Sequence, residues 1–361
     1  DPKQQTKSKD KTTEVKDSTT TTAADTNSIV TSPTKETQKE ISDFPNQNVP
    51  EEYIYIETQF ARFELSNKGA NFRKIFLSKY NNWYSAHKTG DENDFNNHVQ
   101  LINYKRGGSY DISFVSNDGK GINTKELTFI SDKSPLTYKL SQSDSLTINY
   151  TFELETGKTL LKSYTFFADK YEIRSKITFT GFSNLISNNS YDLIWSNGIR
   201  SVERNSVDEA NYSNSSVYYG DEQVIVDASS VGEKEVKEFR GRVDWLTVRN
   251  KYFAAIIIPD DPKKVEGAYI EGTKEAVGKE GLHESYNARL TLPFQNQNVE
   301  NHSFTLFIGP VEYKLLEDYG RNLVSIVDFG SFFGLKFIVR PIAEYVLLPL
   351  FQFLHSFIPN Y

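Results

Sequence analysis

From about residue 53 to residue 309 the chain keeps returning to one pattern. Short runs of alternating apolar and polar residues are closed by turns built from Gly, Asn or Asp. The clearest run is 146–154, where Leu146, Ile148, Tyr150, Phe152 and Leu154 alternate with Thr147, Asn149, Thr151 and Glu153. Successive side chains of a strand point to opposite faces, so such a run has one dry and one wet face, as in an antiparallel sheet. YIYIETQFARFEL (53–65) is strand-like, Ser66-Asn67-Lys68-Gly69 is a turn signal, and NFRKIFLSKY (71–80) completes a hairpin. The segments 99–104, 109–115 and 126–130 are expected as short strands. The runs 159–169 and 170–182 flank a turn at Asp169-Lys170, and the pattern continues to Phe294 and again over 303–309. That makes roughly 16 to 20 strands, against about seven to nine in an ordinary sandwich. The expected fold is therefore mostly β: an enlarged antiparallel β-sandwich over residues 51–309, two packed sheets of many strands each, with C-terminal helices. Residues 252–259 (YFAAIIIP) are apolar on both faces and belong at the centre of a sheet or beneath a helix. Pro310 is expected to open a helix. Val311, Leu315, Tyr319 and Leu323 would form its buried face, making 310–330 a packed helix and hinge. Gly320 lies inside that pattern, at a cost of about 1 kcal/mol relative to Ala.

The C-terminal stretch differs in kind. From Asp328 to Tyr361 only Asp328, Lys336, Arg340 and Glu344 carry full charge, and the segment is crowded with aromatic residues. Lys336, Arg340 and Glu344 step by four, which at roughly 100° per residue places them within an arc of about 80° on one helical face. Apolar residues fill most of the remainder. A narrow charged stripe on an aromatic-rich helix suits the headgroup region of a membrane. The 17 residues from Tyr345 onward lack full charge, the lower limit for a bilayer span, but Pro349, Gln352, His355 and Pro359 interrupt them. Pro341 and Pro349 each remove a backbone donor, so a kink or break is expected near each. The candidate membrane-interface residues are Phe332, Phe333, Lys336, Phe337, Arg340, Tyr345, Leu347 and Phe351, with Gly330 and Gly334 as hinge. The competing reading is an ordinary C-terminal helix buried against its own domain.

Residues 1–50 hold eleven Thr, seven Lys and eight Asp or Glu, with very few large apolar residues. Such a segment buries too little surface to offset its ordering entropy and is expected to be a disordered polar linker. Met is absent, so Asp1 is expected to be a processed or truncated end. Absence of Cys excludes disulfides, thiolate metal sites and cysteine nucleophiles. The net charge of −7, with no long basic run, argues against a nucleic-acid surface.

No reaction centre stands out. Histidines 87, 98, 283, 302 and 355 lack metal-ligand spacing and are expected on surfaces or loops, although His98 and His283 could converge in space. Gly119-Lys120-Gly121 and Gly157-Lys158-Thr159 fit turns better than a phosphate loop. Asp260-Asp261-Pro262 is an acidic turn without the further ligands that calcium needs. Tyr53, Tyr55, Tyr80, Tyr84, Tyr218 and Tyr219 fit a groove lining and a sheet surface equally well. No catalytic residue, metal or cofactor is expected.

Four segments carry a family resemblance. IETQFARFELSNKGANFRKIFLSKY (56–80) resembles the opening of the periplasmic domain of the YidC family of bacterial membrane-protein insertases. GRVDWLTVRNKYFAAIIIP (241–259) is similar to that family's Gly-Trp stretch and hydrophobic run closed by Pro, with Val243-Asp244-Trp245 in place of a shorter pairing. LFIGPVEYKLLEDYG (306–320) resembles its GP-containing element. In 327–361, Asp328, Gly330, Pro341, Leu347, His355-Ser356 and Asn360 fall in register with the stretch before its second transmembrane helix, with Phe329 replacing Tyr.

The resemblance implies a β-super-sandwich similar to sugar mutarotases, followed by an amphipathic interfacial helix (331–361) that leads into a missing transmembrane helix. It also implies a periplasmic location at the inner membrane. The implied role is a non-enzymatic insertase and chaperone part in protein transport, alone or with the Sec translocon, with the insertion groove elsewhere. Its implied partners are the lipid surface, nascent membrane proteins and the Sec translocon with its accessory subunits, without nucleic acid. In the family the sheet region is largely dispensable and the terminal helical stretch is not. The alternative is a carbohydrate-binding or aldose-epimerase-like enzyme, which needs a His acid and a carboxylate base in one cleft.

Overall fold

The computed structural model describes residues 45–46, 48–82, 97–103, 108–278, 281–328 and 341–357. The first hairpins are β1 (Tyr53–Glu57), β2 (Ala61–Ser66) and β3 (Asn71–Asn81), followed by β4 (His98–Asn103) and β5 (Ser109–Val115). The run expected as one strand over 53–65 is two antiparallel strands, β1 on β2. Thr58 makes the break: its hydroxyl accepts the N–H groups of Phe60 and Ala61, turning the chain. The Ser66–Gly69 turn joins β2 to β3 as expected. Gly69 has φ +72, and an added Cβ there would sit 3.1 Å from the Lys125 Cα, so both backbone angle and space call for Gly.

Next come three short strands, β6 (Gly121–Asn123), β7 (Ile130–Ser131) and β8 (Thr137–Lys139). The expected strand 126–130 is mostly absent. Thr124–Glu126 forms a 3-10 turn, and Leu127 and Phe129 bond back to Gly69 and Asn67. That stretch is buried under the turn instead of joining a sheet. The long central strands are β9 (Ser145–Glu155), β10 (Lys158–Phe167) and β11 (Glu172–Thr180), joined through Gly157 and Asp169-Lys170 as the alternation predicts. The remainder comprises β12 (Ser190–Ser196), helix α1 (Ser206–Ala210), β13 (Asn214–Tyr219), β14 (Glu222–Val226), β15 (Lys234–Arg240), β16 (Trp245–Arg249), β17 (Phe253–Pro259), β18 (Gly267–Val277), β19 (Gly281–Pro293) and β20 (Val299–Pro310).

Among the described residues these strands form three sheets, where two were expected. The orders are β4-β3-β2-β1-β8, β14-β13-β16-β17-β20-β11-β10-β9-β7 and β15-β18-β19-β12-β5-β6. All named strand pairs are antiparallel except β1 with β8. The sandwich survives because the five- and six-stranded sheets share the face opposite the nine-stranded one. Phe63 on β2 meets Phe166 on β10, and Tyr191 on β12 meets Phe179 on β11, at ring centroids of 4.9 and 5.0 Å. β17 lies between β16 and β20 with every residue buried, the central place its two-sided apolarity demands.

A polar pin crosses this core. Lys162 on β10 is fully buried, and its ammonium donates to the carbonyls of Gly69 and Tyr110, each at 2.9 Å. Burial pushes its pKa down to about 8, against the opposing pull of the Asp111 charge. Tyr164 donates to the Ala70 carbonyl at 2.8 Å. The nine-stranded sheet is thus bolted to the β2–β3 turn and to β5, near the line where the two smaller sheets adjoin.

Pro310 ends β20 and does not open a helix. The helix α2 is only Tyr313–Glu317, and a 3-10 turn follows at Leu323–Ile326. Gly320, at φ +64, lies between them and separates two short turns in a pattern that promised one helix. The apolar spacing was nonetheless informative: Leu316, Leu323 and Ile326 are buried, and Val311, Leu315 and Tyr319 pack on the core. Last comes a continuous helical stretch, a π-helical turn at Ala343–Leu347 running into α3 (Leu348–Phe357). Pro349 has no N–H to offer the Tyr345 carbonyl, so the helix widens ahead of it without breaking.

Candidate functional site

The helical stretch 341–357 departs most sharply from the rule that apolar residues go inside. Ile342, Val346, Leu347, Leu350, Phe351, Phe353, Leu354 and Phe357 are all exposed, Phe357 at 70% and Tyr345 at 78%. Ala343 is buried at 6%. Within α3, at roughly 100° per residue, Leu350, Phe353, Leu354 and Phe357 share one side of the helix, with Gln352 opposite. Phe353 and Phe357 stack edge to face at 5.0 Å. A contiguous exposed apolar strip of this kind marks a surface made to meet something else. Of the residues singled out by sequence, Tyr345, Leu347 and Phe351 lie on this stretch and are exposed. Gly330, Phe332, Phe333, Gly334, Lys336, Phe337 and Arg340 lie outside the described residues. No described helix is long and apolar enough to cross a membrane.

Two of the histidines sit deeper than expected, while His283 is half-buried and His87 lies outside the described residues. His98 on β4 and His302 on β20 are buried, because both fall at inward positions of their strands. His98 and His283 lie in different sheets, on β4 and β19. His302 Nδ1 bonds the Tyr191 hydroxyl at 2.7 Å. Burial, helped by Lys264, pushes its pKa down to about 4, so the ring is neutral near pH 7. His302 shares a cleft of about 200 Å3 with Asp260 and Asp261. Asp261 is occupied in capping Lys263, and Asp260 pairs with Arg174 at 3.5 Å. No His/Asp/Glu grouping suited to a metal occurs among the described residues.

Two larger clefts were not legible in sequence. One, of about 460 Å3, lies between the ends of β3 and β20, where Tyr80 donates to Glu312 at 2.7 Å and packs on Phe253 at 5.1 Å. Burial, reinforced by Glu312, raises the Tyr80 pKa. Beside it Glu209 is fully buried, and its carboxylate accepts the N–H groups of Val202 and Glu203. Burial outweighs those donors and lifts its pKa to about 7. The other cleft, of about 500 Å3, lies at the junction of β3 and β5. Of the tyrosines noted in sequence, only Tyr80 lines a cleft named here. Tyr53 and Tyr55 sit under Arg73 and Arg62, Tyr218 and Tyr219 pack against the core, and Tyr84 lies outside the described residues.

Residues 53–345 match the family model described as the YidC periplasmic domain. A Chlorobaculum parvum protein named membrane protein insertase YidC is 30% identical over 313 residues, which cover 86% of this chain and 50% of that protein. A Chloroherpeton thalassium protein of the same name is 31% identical over 312 residues, with the same coverage. The chain therefore spans about half the length of these relatives. Among solved structures, the GalNAc complex of the alpha-N-acetylgalactosaminidase NagBb from Bifidobacterium bifidum aligns at 8% identity and TM-score 0.44, over 73% of this chain and 38% of that one. A galactose mutarotase-related enzyme from Lactobacillus acidophilus aligns at 8% identity and TM-score 0.36, over 71% of this chain and 97% of that one.

Proposed function

The chain belongs to the YidC periplasmic-domain family, and from that premise we propose that it is the scaffold and membrane-surface anchor of an insertase. In this reading the sandwich stands in the periplasm at the inner membrane. The stretch 331–361 lies in the headgroup region and holds an attached insertion groove at fixed height and tilt, with Gly330 and Gly334 as hinge. Nascent membrane proteins are the clients, and the Sec translocon with its accessory subunits is the docking partner. The role is non-enzymatic.

The observation that carries this reading is the exposed apolar strip from Ile342 to Phe357. Fully burying one Leu or Phe side chain is worth roughly 1.5–3 kcal/mol. The strip therefore represents a large unrealised driving force, and a lipid interface supplies the missing apolar phase. Lys336 and Arg340 would add attraction to anionic headgroups.

Flotation with vesicles containing anionic lipid tests the anchor. The full chain should float, and a chain ending at residue 330 should stay at the bottom. Equal flotation of both defeats the anchor. Lys336→Glu with Arg340→Glu should weaken binding, and the deficit should shrink at high salt as screening removes the electrostatic part.

The carbohydrate-enzyme alternative draws little support from the residues. The one histidine lining a cleft described above is His302, and it is held by Tyr191 instead of a carboxylate. A mutarotation assay on the purified chain separates the two: turnover above the uncatalysed rate would favour the enzyme.

A further inference from the structure

We propose that the segment 201–205, part of one wall of the cleft beside Tyr80, is a pH-sensitive latch, closed in acid and loosened near neutral pH. Val202 and Glu203 both line that cleft. Among the described residues their backbone N–H groups are met only by the Glu209 carboxylate on α1. Val202 reaches Oε1 and Oε2 at 3.0 and 2.9 Å, and Glu203 reaches Oε2 at 3.1 Å.

The segment is pinned on either side. Before it, the Arg200 N–H donates to the Leu101 carbonyl at 2.9 Å, and the Arg200 carbonyl accepts from the Asn250 side chain at 3.1 Å. After it, Asn205 caps α1 by accepting the Asp208 N–H at 3.1 Å, and Asp208 is tied to Lys251 at 2.6 Å. Between these points the backbone is held through Glu209. Val202 adds apolar packing, which pH does not alter.

Glu209 is 0% exposed, and no cation is bonded to it among the described residues. The charged groups around it are Glu203 and Arg204 on the segment, Asp208 on α1, and Lys251 at the turn between β16 and β17. Lys251 is already bonded to Asp208. β19 packs on α1, its Leu282 N–H donating to Ser206, and brings His283 and Glu284, with Glu284 paired to Lys274 at 2.8 Å. A carboxylate out of water and without a cation is costly in its charged form. Burial accordingly holds its pKa at about 7, against 4.5 for an open carboxyl. The closed segment thus keeps a proton that the opened one gives up. Between those two values opening releases the proton, so rising pH favours opening; above about 7 both states are charged and the bias is constant. Opening shifts Val202 and Glu203, so the shape of the cleft follows pH. The inference does not depend on the membrane anchor and survives its failure.

Amide hydrogen exchange of the full chain from about pH 4.5 to about 8, corrected for the intrinsic rate at each pH, tests the latch. Protection of the Val202 and Glu203 amides should fall by at least about tenfold, and at most about 300-fold, as pH rises to 7, then level off. Glu209→Gln keeps the shape of the side chain but cannot titrate, so its protection should not fall; thermal melting checks its fold. In the native chain the carboxyl carbon resonance of Glu209 should titrate with a midpoint near 7. Three results overturn the proposal: protection independent of pH, an equal fall in Glu209→Gln, or a carboxyl midpoint near 4.5. The last decides the matter even where the variant does not fold.

Discussion

β17 and the stretch from Val346 to Leu354 are both almost continuously apolar, FAAIIIP against VLLPLFQFL, yet their fates are opposite. From Phe253 to Ile258 no residue of β17 exceeds 6% exposure, whereas Val346, Leu347, Leu350, Phe351, Phe353 and Leu354 all stand exposed. Composition does not separate them; backbone hydrogen bonding does. A strand leaves its N–H and C=O groups to neighbours, so β17 must be flanked, by β16 and β20, and both its faces are then covered. A helix satisfies its own backbone and can stand apart with its side chains unmet.

The comparison can be broken at several points. The largest effect is expected at the polar pin. Lys162→Ala removes two charge-assisted bonds and strands two buried carbonyls, so denaturant unfolding should register a loss of roughly 3–5 kcal/mol. Ile256→Ala in β17 should cost roughly 2–4 kcal/mol in the same measurement. In the tail, Leu347→Asp combined with Phe351→Asp should lower vesicle partitioning by about tenfold or more at any salt concentration while leaving the melting temperature unchanged. A fall in melting temperature comparable to that of Ile256→Ala would mean that the tail packs on its own domain.

His302 gives a smaller, pH-dependent effect. Its folded pKa lies near 4, below the unfolded value of 6.5. The stability it contributes is therefore complete above pH 6.5 and is lost as pH falls through about 4. Melts across that window should lose of order 2 kcal/mol more in the native chain than in His302→Gln. An identical pH slope in the two proteins would sink this assignment. Smallest of all, Phe353→Ala should change folding stability by less than about 0.5 kcal/mol. A large loss there would erase the contrast with β17.

Much of the sandwich was visible in the order of residues. Period-two alternation located β9, β10 and β11, and turn chemistry located the hairpin at Gly69. What misled was local and has physical causes. Pro310 looked like a helix start because its missing donor is harmless there, but it is equally harmless at the end of a strand. Thr58 bends the chain with a side-chain hydroxyl that an alternation pattern does not register. The 126–130 run is apolar enough for a strand, yet its backbone bonds go to the Gly69 turn. The junction cleft was invisible because Asn71, Asp111, Asn197 and Asn287 are scattered over more than 200 positions and meet only through strand pairing.

By itself the residue order determined the class of fold, the burial of both faces of β17, the family and the foreign character of the tail. Each of these depends on periodicity, or on motifs within a few residues of one another, and such signals survive in one dimension. The tertiary structure alone decided that three sheets make the two layers, that Lys162 bolts them together, and that His98 and His302 point inward. It also decided that Tyr345, Phe351, Phe353 and Phe357 stay uncovered. Those outcomes depend on which distant segments become neighbours, and long-range packing leaves no periodic trace in the chain.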